Sequence, residues 1–262
     1  MEDIPVSHLP DDIRRRIDGY RWRRDALGRS GSDVFLLERN GDRPLVLKWE
    51  DSHALSELPG EAARLQWLGS VGLPAPEVVA CESSDEAHFL LMTALDGRDL
   101  ASSEQSPETR VTALAFALQQ LHAIDPRRCP FHRDLDVMLA KAQERMLAGL
   151  VDEEDFDEAR LGRSASDLYQ ELLRLRPGEQ ELVVVHGDAS LPNLMIEGGA
   201  FSGFIDVGRL GVADRYVDLS IACASVSRNF GPEWVDVLLA RYGLASPDGA
   251  RLAYYRLLDE FF

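Results

Sequence analysis

His186-Gly187-Asp188 is followed by four residues and then Asn193. Thirteen residues further on comes Asp206, within Phe204-Ile205-Asp206-Val207-Gly208. A carboxylate in a loop can accept a hydrogen bond from an attacking hydroxyl and take its proton. An amide oxygen five positions later, across the same loop, can bind a hard cation, and a carboxylate on the next hairpin can complete the shell. Mg²⁺ prefers oxygen ligands and needs few from the protein when substrate phosphates supply others. Asp188 as base, with Asn193 and Asp206 as metal ligands, is the minimum that nucleotide-dependent phosphoryl transfer requires. A three-residue match to His-Gly-Asp arises readily by chance. The whole spacing, laid on a strand-loop-strand-turn-strand pattern, does not.

Phosphoryl transfer also needs a cation on the phosphates. Lys48 lies in the apolar run LVLKWE, where an unpaired ammonium would be costly. Glu61, in the first turn of a helix expected over residues 60–71, can pair with it. Glu57 is a rival partner, but Pro59-Gly60 suggests that the helix begins after it. Between the first two expected strands lies Leu27-Gly28-Arg29-Ser30-Gly31-Ser32, where Ser30, Gly31 and Ser32 can donate to phosphate oxygens. Taken alone, it would also read as an ordinary turn.

The elements that carry these residues divide the chain in two. Residues 1–95 read as mostly strand, with two apolar runs around Asn40-Gly41 that signal a hairpin. Residues 96–262 read as helical, interrupted by one small sheet that carries the His-Gly-Asp loop. The fold class is α+β, a small β-rich lobe and a larger helical one.

Composition limits the alternatives. In 262 residues, apolar types make up 45% and charged types 28%, which are globular proportions. Lys and Arg total 28 against 45 Asp and Glu, a net charge of −17. Such a balance argues against nucleic acid and anionic membranes as partners and is compatible with a cationic one. Cys81, Cys129 and Cys223 are odd in number and lack CxxC spacing, so neither a disulfide framework nor a zinc site is expected. The first residues, MEDIPVSHLPDD, carry acids where a signal peptide carries bases, which points to the cytoplasm.

HGDASLPN followed by Asp206-Val207-Gly208 resembles the catalytic loop and metal-binding segment of the protein-kinase-like fold. Gly187 stands where protein kinases usually carry Arg, and no long activation segment follows Asp206, so the small-molecule branch is the better match. VVVHGDASLPNLMIE, FSGFIDVGRLGVADRYVDLSIA and the ending AYYRLLDEFF resemble the aminoglycoside 3′-phosphotransferases over nearly the full length. That resemblance implies a two-lobed fold with a nucleotide-binding lobe over 1–95 and a catalytic and substrate-binding lobe over 96–262. It implies ATP, in some members GTP, with Mg²⁺, and an aminoglycoside 3′-hydroxyl as acceptor. Asp188 would be the base, Asn193 and Asp206 the metal ligands, and Lys48 with Glu61 the phosphate-setting pair. The adenine edge would be held through backbone groups around Thr93 and Leu95, and Arg209 would lie near the transferring phosphate or the substrate. The substrate's ammonium groups would meet Asp155, Asp157 and Glu158 of the acidic run VDEEDFDEAR, together with Asp259, Glu260 and the carboxylate of Phe262. The resembled enzymes often stack an aromatic residue on adenine two positions before the lysine, where this chain has Val46. They carry an Arg-Asp pair near Ala224 and Ser225. A monomer is expected. Two other readings stay open: a kinase for another cationic, hydroxylated metabolite, and an inactive nucleotide-binding module.

Overall fold

The computed structural model describes residues 9–24, 32–53 and 56–262. The chain forms two compact units, one running up to Asp96 and including Gly203–Gly208, the other made of Gly97–Ser202 and Arg209–Phe262.

The first unit contains α1 (Asp11–Arg16), β1 (Arg21–Arg24), β2 (Asp33–Glu38), β3 (Leu45–Asp51), α2 (Leu58–Ser70), β4 (Val78–Ser83) and β5 (Ala87–Thr93). The strands form one antiparallel sheet in the order β1-β2-β3-β5-β4. Side chains alternate faces along a strand. Leu45 and Leu47 of β3 therefore join Phe35, Leu37, Phe89 and Leu91 in a core that also takes Leu9, Ile13 and Ile17. The same alternation turns Lys48 and Glu50 to the opposite face. Lys48 sits in register between Val34 of β2 and Leu90 of β5.

Helix α2 begins at Leu58, two residues earlier than its sequence suggests, because Pro59 in its first turn has no N–H to leave unsatisfied. Leu58, Glu61, Leu65 and Leu68 recur at helical spacing and are all buried. Glu61 thus occupies one position of an otherwise apolar stripe. The hairpin around Asn40-Gly41 forms with a loop over 39–44 rather than a two-residue turn, since β2 ends at Glu38 and β3 starts at Leu45.

The second unit contains β6 (Arg98–Asp99), α3 (Pro107–His122), α4 (Leu135–Leu147), α5 (Ala165–Leu175), β7 (Leu182–Val185), β8 (Leu194–Glu197), β9 (Ala200–Phe204, whose end enters the segment 203–208), β10 (Gly211–Asp214), α6 (Tyr216–Phe230), α7 (Glu233–Tyr242) and α8 (Gly249–Asp259). The side chains of Ser106, Asp134, Ser164 and Asp248 cap α3, α4, α5 and α8 by accepting backbone N–H groups of the first turn.

The sheet read as one from sequence is two. β7 pairs with β10, Val185 opposite Gly211, while β8 lies between β6 and β9. β8 and β9 are joined by Gly198-Gly199 at φ +57° and +86°, the backbone that a two-residue mirror-image turn demands. β7 anchors the His-Gly-Asp loop from below. Its Val183 and Val185 are buried with Leu168, Leu172, Val217 and Leu258 in the main core of this unit. No helix among the described residues is long and apolar enough to cross a membrane.

Candidate active site

In the first unit, the Lys48 ammonium donates to both oxygens of Glu61, at 2.7 and 2.9 Å, and to Oδ1 of Asp206 at 3.0 Å. Burial opposes the charge on Lys48, but the two carboxylates outweigh it and raise the lysine above its ordinary pKa. Burial pushes the Glu61 carboxyl up, and Lys48 with the Val207 N–H pulls against that. Glu57, the rival partner, is the residue preceding the helix and not the one that Lys48 meets. Asp206 has φ +56°, the only positive value at a non-glycine residue among those described. Aspartate tolerates this region better than most side chains, and the bond from Lys48 holds it there. An oxygen donor at the turn between β9 and β10 is thereby fixed.

In the second unit, the backbone of loop 186–193 is tied at its start to a helix. Asp218 of α6 is fully buried, and its carboxylate accepts the N–H groups of His186 at 2.7 Å and Gly187 at 2.8 Å. It also meets Nε2 of His122 at 3.0 Å, and Nδ1 of that histidine meets the Tyr242 hydroxyl at 2.7 Å. Burial would raise the Asp218 carboxyl, yet His122 and the His186 N–H hold it below the ordinary carboxylate range. Gly187 has φ +87°, and a Cβ there would stand 2.2 Å from the Arg209 carbonyl oxygen. That close approach excludes any side chain, which explains glycine where protein kinases carry arginine. Asn193 Nδ2 donates to the Asp188 carbonyl at 3.0 Å. This bond orients the amide and leaves its Oδ1 as a ligand for a hard cation. Asp188 is part-exposed, and its carboxylate makes no hydrogen bond among the described residues.

The acidic run and the chain's last residues meet in the same unit, around arginines. Arg256 makes a bidentate pair with Asp157 at 2.7 and 2.5 Å and also reaches Asp259 at 2.5 Å. Arg160 bridges Asp157 at 3.0 Å and Glu260 at 2.9 Å. Burial, reinforced by Asp157, pushes the Glu260 carboxyl up to about 7. Burial, opposed by Arg256 and reinforced by Asp188, pushes Asp259 up to about 6. Asp155 and Glu158 are exposed. Glu153 from the same run has a structural task, accepting the first N–H of α5 at 2.7 Å. The Phe262 ring lies 5.0 Å from the guanidinium of Arg133 and 5.6 Å from that of Arg209, within cation–π range.

Ser30 and Gly31 lie outside the described residues. Ser32 donates to Glu50 at 3.0 Å, and Glu50 also accepts the N–H of Leu58. Thr93 engages Glu77 through its N–H and its hydroxyl, and the Ala94 N–H donates to Pro44 O. The N–H groups of Thr93 and Ala94 are taken, and the Thr93 hydroxyl accepts the Glu77 N–H, so a nucleotide edge would have to use carbonyls here or the backbone at Leu95.

A sequence profile described as the phosphotransferase enzyme family matches residues 21–255. An aminoglycoside 3′-phosphotransferase of Escherichia coli is 39% identical over 259 residues, spanning 97% of this chain and 95% of that protein. This chain belongs to that family. Its structure resembles a crystal structure of an aminoglycoside 3′-phosphotransferase of type VIII, with 38% identity, a TM-score of 0.88, and coverage of 96% and 97% of the two chains. A Streptomyces rimosus aminoglycoside phosphotransferase in complex with ADP and streptomycin is 26% identical, with a TM-score of 0.79 and 92% of each chain covered.

Sequence reading of this phosphotransferase missed Asp218, His122 and Glu50. Each was a polar residue within an apolar run, the signal by which Lys48 was found. Nothing in the sequence told them from solvated positions, because their partners lie 32, 96 and 8 residues away.

Two predictions follow from these charges. Lys48→Met strands the buried Glu61 carboxylate, and breaking such a pair costs about 3–5 kcal/mol. The double variant Lys48→Met/Glu61→Leu should regain most of that stability and remain inactive. Denaturant unfolding of both variants, with an activity assay, checks this, and a double variant no more stable than the single one would contradict it. For Glu260, the raised carboxyl pKa means that the folded chain keeps a proton the unfolded chain has lost. Its contribution to stability is complete below the ordinary pKa of 4.5 and is lost as pH rises through about 7. Thermal unfolding from pH 5 to 8 should therefore show the parent losing stability relative to Glu260→Gln as pH rises. Parallel curves would refute the assignment.

Proposed function

We propose that this chain transfers the γ-phosphoryl group of ATP, as its Mg²⁺ complex, to the 3′-hydroxyl of aminoglycoside antibiotics and so inactivates them. The observation that carries the reading is the state of loop 186–193. Its backbone is tied to Asp218 and its Asn193 amide to the Asp188 carbonyl, while among the described residues the Asp188 carboxylate has no hydrogen-bond partner. A rigid loop presenting one uncommitted carboxylate suits a group that must orient and accept a proton from an incoming hydroxyl.

In this reading Asp188 accepts the hydrogen bond of the 3′-hydroxyl, aligns its oxygen with the γ-phosphorus and takes the proton as the O–P bond forms. The bond to the β-phosphate oxygen breaks, and ADP leaves. Lys48, held by Glu61, binds the α- and β-phosphate oxygens. Asn193 Oδ1 and the Asp206 carboxylate are hard oxygen donors, each fixed by a hydrogen bond, and they suit Mg²⁺. When bound, the ion would neutralise charge on the phosphate oxygens. Arg209, adjoining Gly187 and stacked on Phe262, supports charge near the reacting groups. The adenine edge is received at the backbone around Thr93 and Leu95, and Ser30, Gly31 and Ser32 would donate to phosphate oxygens. The first 95 or so residues serve the nucleotide and the remainder serves catalysis and the acceptor.

The substrate's ammonium groups are received by Asp157, Asp259 and Glu260, with the exposed Asp155 and Glu158 and the end of the chain at Phe262 contributing. Asp259 and Glu260 are raised toward neutrality despite Arg160 and Arg256, so added positive charge stabilises their ionised forms. Every proposed group comes from one chain, so a monomer suffices.

Asp188→Ala should lower kcat by about 10²–10⁴-fold, the range for general-base and orientation effects, with ATP binding retained. A kcat within about threefold of the parent would remove Asp188 from the chemistry. Tobramycin keeps the amino groups but lacks the 3′-hydroxyl. It should inhibit competitively against kanamycin without being phosphorylated on that ring, as read by NMR of the product, and turnover comparable to kanamycin would overturn the regiochemistry.

A further inference from the structure

Ser225 lies in the interior of α6, where a serine hydroxyl commonly bonds back to a carbonyl of its own helix. Ser220 in the same helix does so, its Oγ donating to Val217 O at 3.0 Å. Ser225 reaches across to another element. Its Oγ accepts the N–H of Leu191 at 3.0 Å, and both residues are buried. Leu191 opens the 3₁₀ turn Leu191–Asn193, and the first N–H groups of a helical turn have no partner within it. Ser190, at the cap position, makes no side-chain cap, and Pro192 has no N–H. The Leu191 N–H is therefore the donor that needs an outside acceptor, and Ser225 supplies it. Seven residues earlier, about two turns back on the same face of α6, Asp218 accepts the N–H groups of His186 and Gly187. One helix face thus holds both ends of the catalytic loop.

We infer that Ser225 is a positioning residue. Through the Leu191 N–H it sets the turn that delivers Asn193, and so it governs how well the site takes up Mg²⁺, an assignment that rests on the proposed metal role of Asn193. The inference concerns the hydroxyl and not the volume of the side chain. Without it, a buried N–H is left unsatisfied at the base of the turn, and the turn can gain a partner for that N–H only by shifting. Because Asn193 Nδ2 is bonded to Asp188 O, a shift of the turn also misaligns the base. The acidic residues around Asp157 and Glu260 share no hydrogen bond with Ser225, so acceptor affinity should be spared.

Thr and Val are isosteric and differ by the hydroxyl, so Ser225→Thr and Ser225→Val form the decisive pair, with Ser225→Ala as the least bulky deletion. Alanine favours a helix interior, so Ser225→Ala against Ser225→Thr carries the comparison should the valine variant fold poorly. In the free enzyme, Val and Ala should speed hydrogen exchange at residues 190–194 by about tenfold, the scale of a lost buried hydrogen bond. In turnover they should raise the Mg²⁺ concentration for half-maximal rate and lower kcat, each by about three- to tenfold, with KM for kanamycin within about twofold of the parent. Ser225→Thr should restore all three. Equal behaviour of Thr and Val, or an Ala variant that only melts earlier with unaltered exchange and Mg²⁺ dependence, would overturn the inference. Asn193→Ala separates the two levels. If it leaves the Mg²⁺ dependence unchanged, the metal role of Asn193 fails; if it shifts that dependence while the Ser225 variants do not, only the role of Ser225 fails.

Discussion

A carboxylate with no access to water must be surrounded by donors, and Asp218 meets that condition with two backbone N–H groups and a histidine. The cost of burying an unpaired charge runs to several kcal/mol, so the arrangement is all-or-none. The backbone at His186 and Gly187 is fixed as the price of keeping that charge satisfied. Everything the loop does afterwards depends on it: Gly187 can approach Arg209 only in this conformation, and Asp188 is left with its carboxylate uncommitted. His122 and Tyr242, from α3 and α7, steady the carboxylate from behind. The conformation of loop 186–193 is thus a property of three helices as much as of its own sequence.

The first unit solves the same problem with the opposite sign. Lys48 is buried in a β-strand and Glu61 in an apolar helix stripe, and each is tolerable because the other is there. Asp206 joins them from a strained turn. Both units therefore put their chemically active groups next to buried charges whose pairing leaves little conformational choice. Such pairs contribute less to net stability than their Coulomb attraction suggests, because desolvation opposes it. Their return is orientation, which phosphoryl transfer needs most, since catalysis there consists largely of positioning and charge stabilisation.

The acidic cluster proposed to receive the acceptor follows a different rule. Its carboxylates are many and close together, and arginines from the same unit already neutralise part of their charge. What remains is an excess of acid that burial drives toward the protonated form. The resemblance implies an Arg-Asp pair near Ala224-Ser225; here the serine hydroxyl accepts the Leu191 N–H of loop 186–193. The proposed acceptor site thus draws on the acidic run and α8 more than on α6.

Much of this was legible in the chain itself. The His-Gly-Asp-x4-Asn spacing, the strand lysine and the helix glutamate could be read because each is local: a loop of fixed length, a period-two strand, a helix whose first turn is marked by proline. Fold class could be read for the same reason, from apolar periodicity and turn residues. What sequence could not yield was partnership. It made one sheet of β7, β8 and β9 and did not read β10, because strand pairing is decided by which faces are buried together and not by order along the chain. It left Asp218, His122 and Ser225 indistinguishable from ordinary polar residues, since their roles exist only when segments tens of residues apart are packed. It singled out Asp155, Asp157 and Glu158 from the acids of residues 152–158 without ranking them, whereas folding gave Asp157 two arginines, left Asp155 and Glu158 exposed, and gave Glu153 a helix to cap. Local chemistry is written in residue type and spacing; the division of labour among like residues is set by burial, which only the tertiary structure decides.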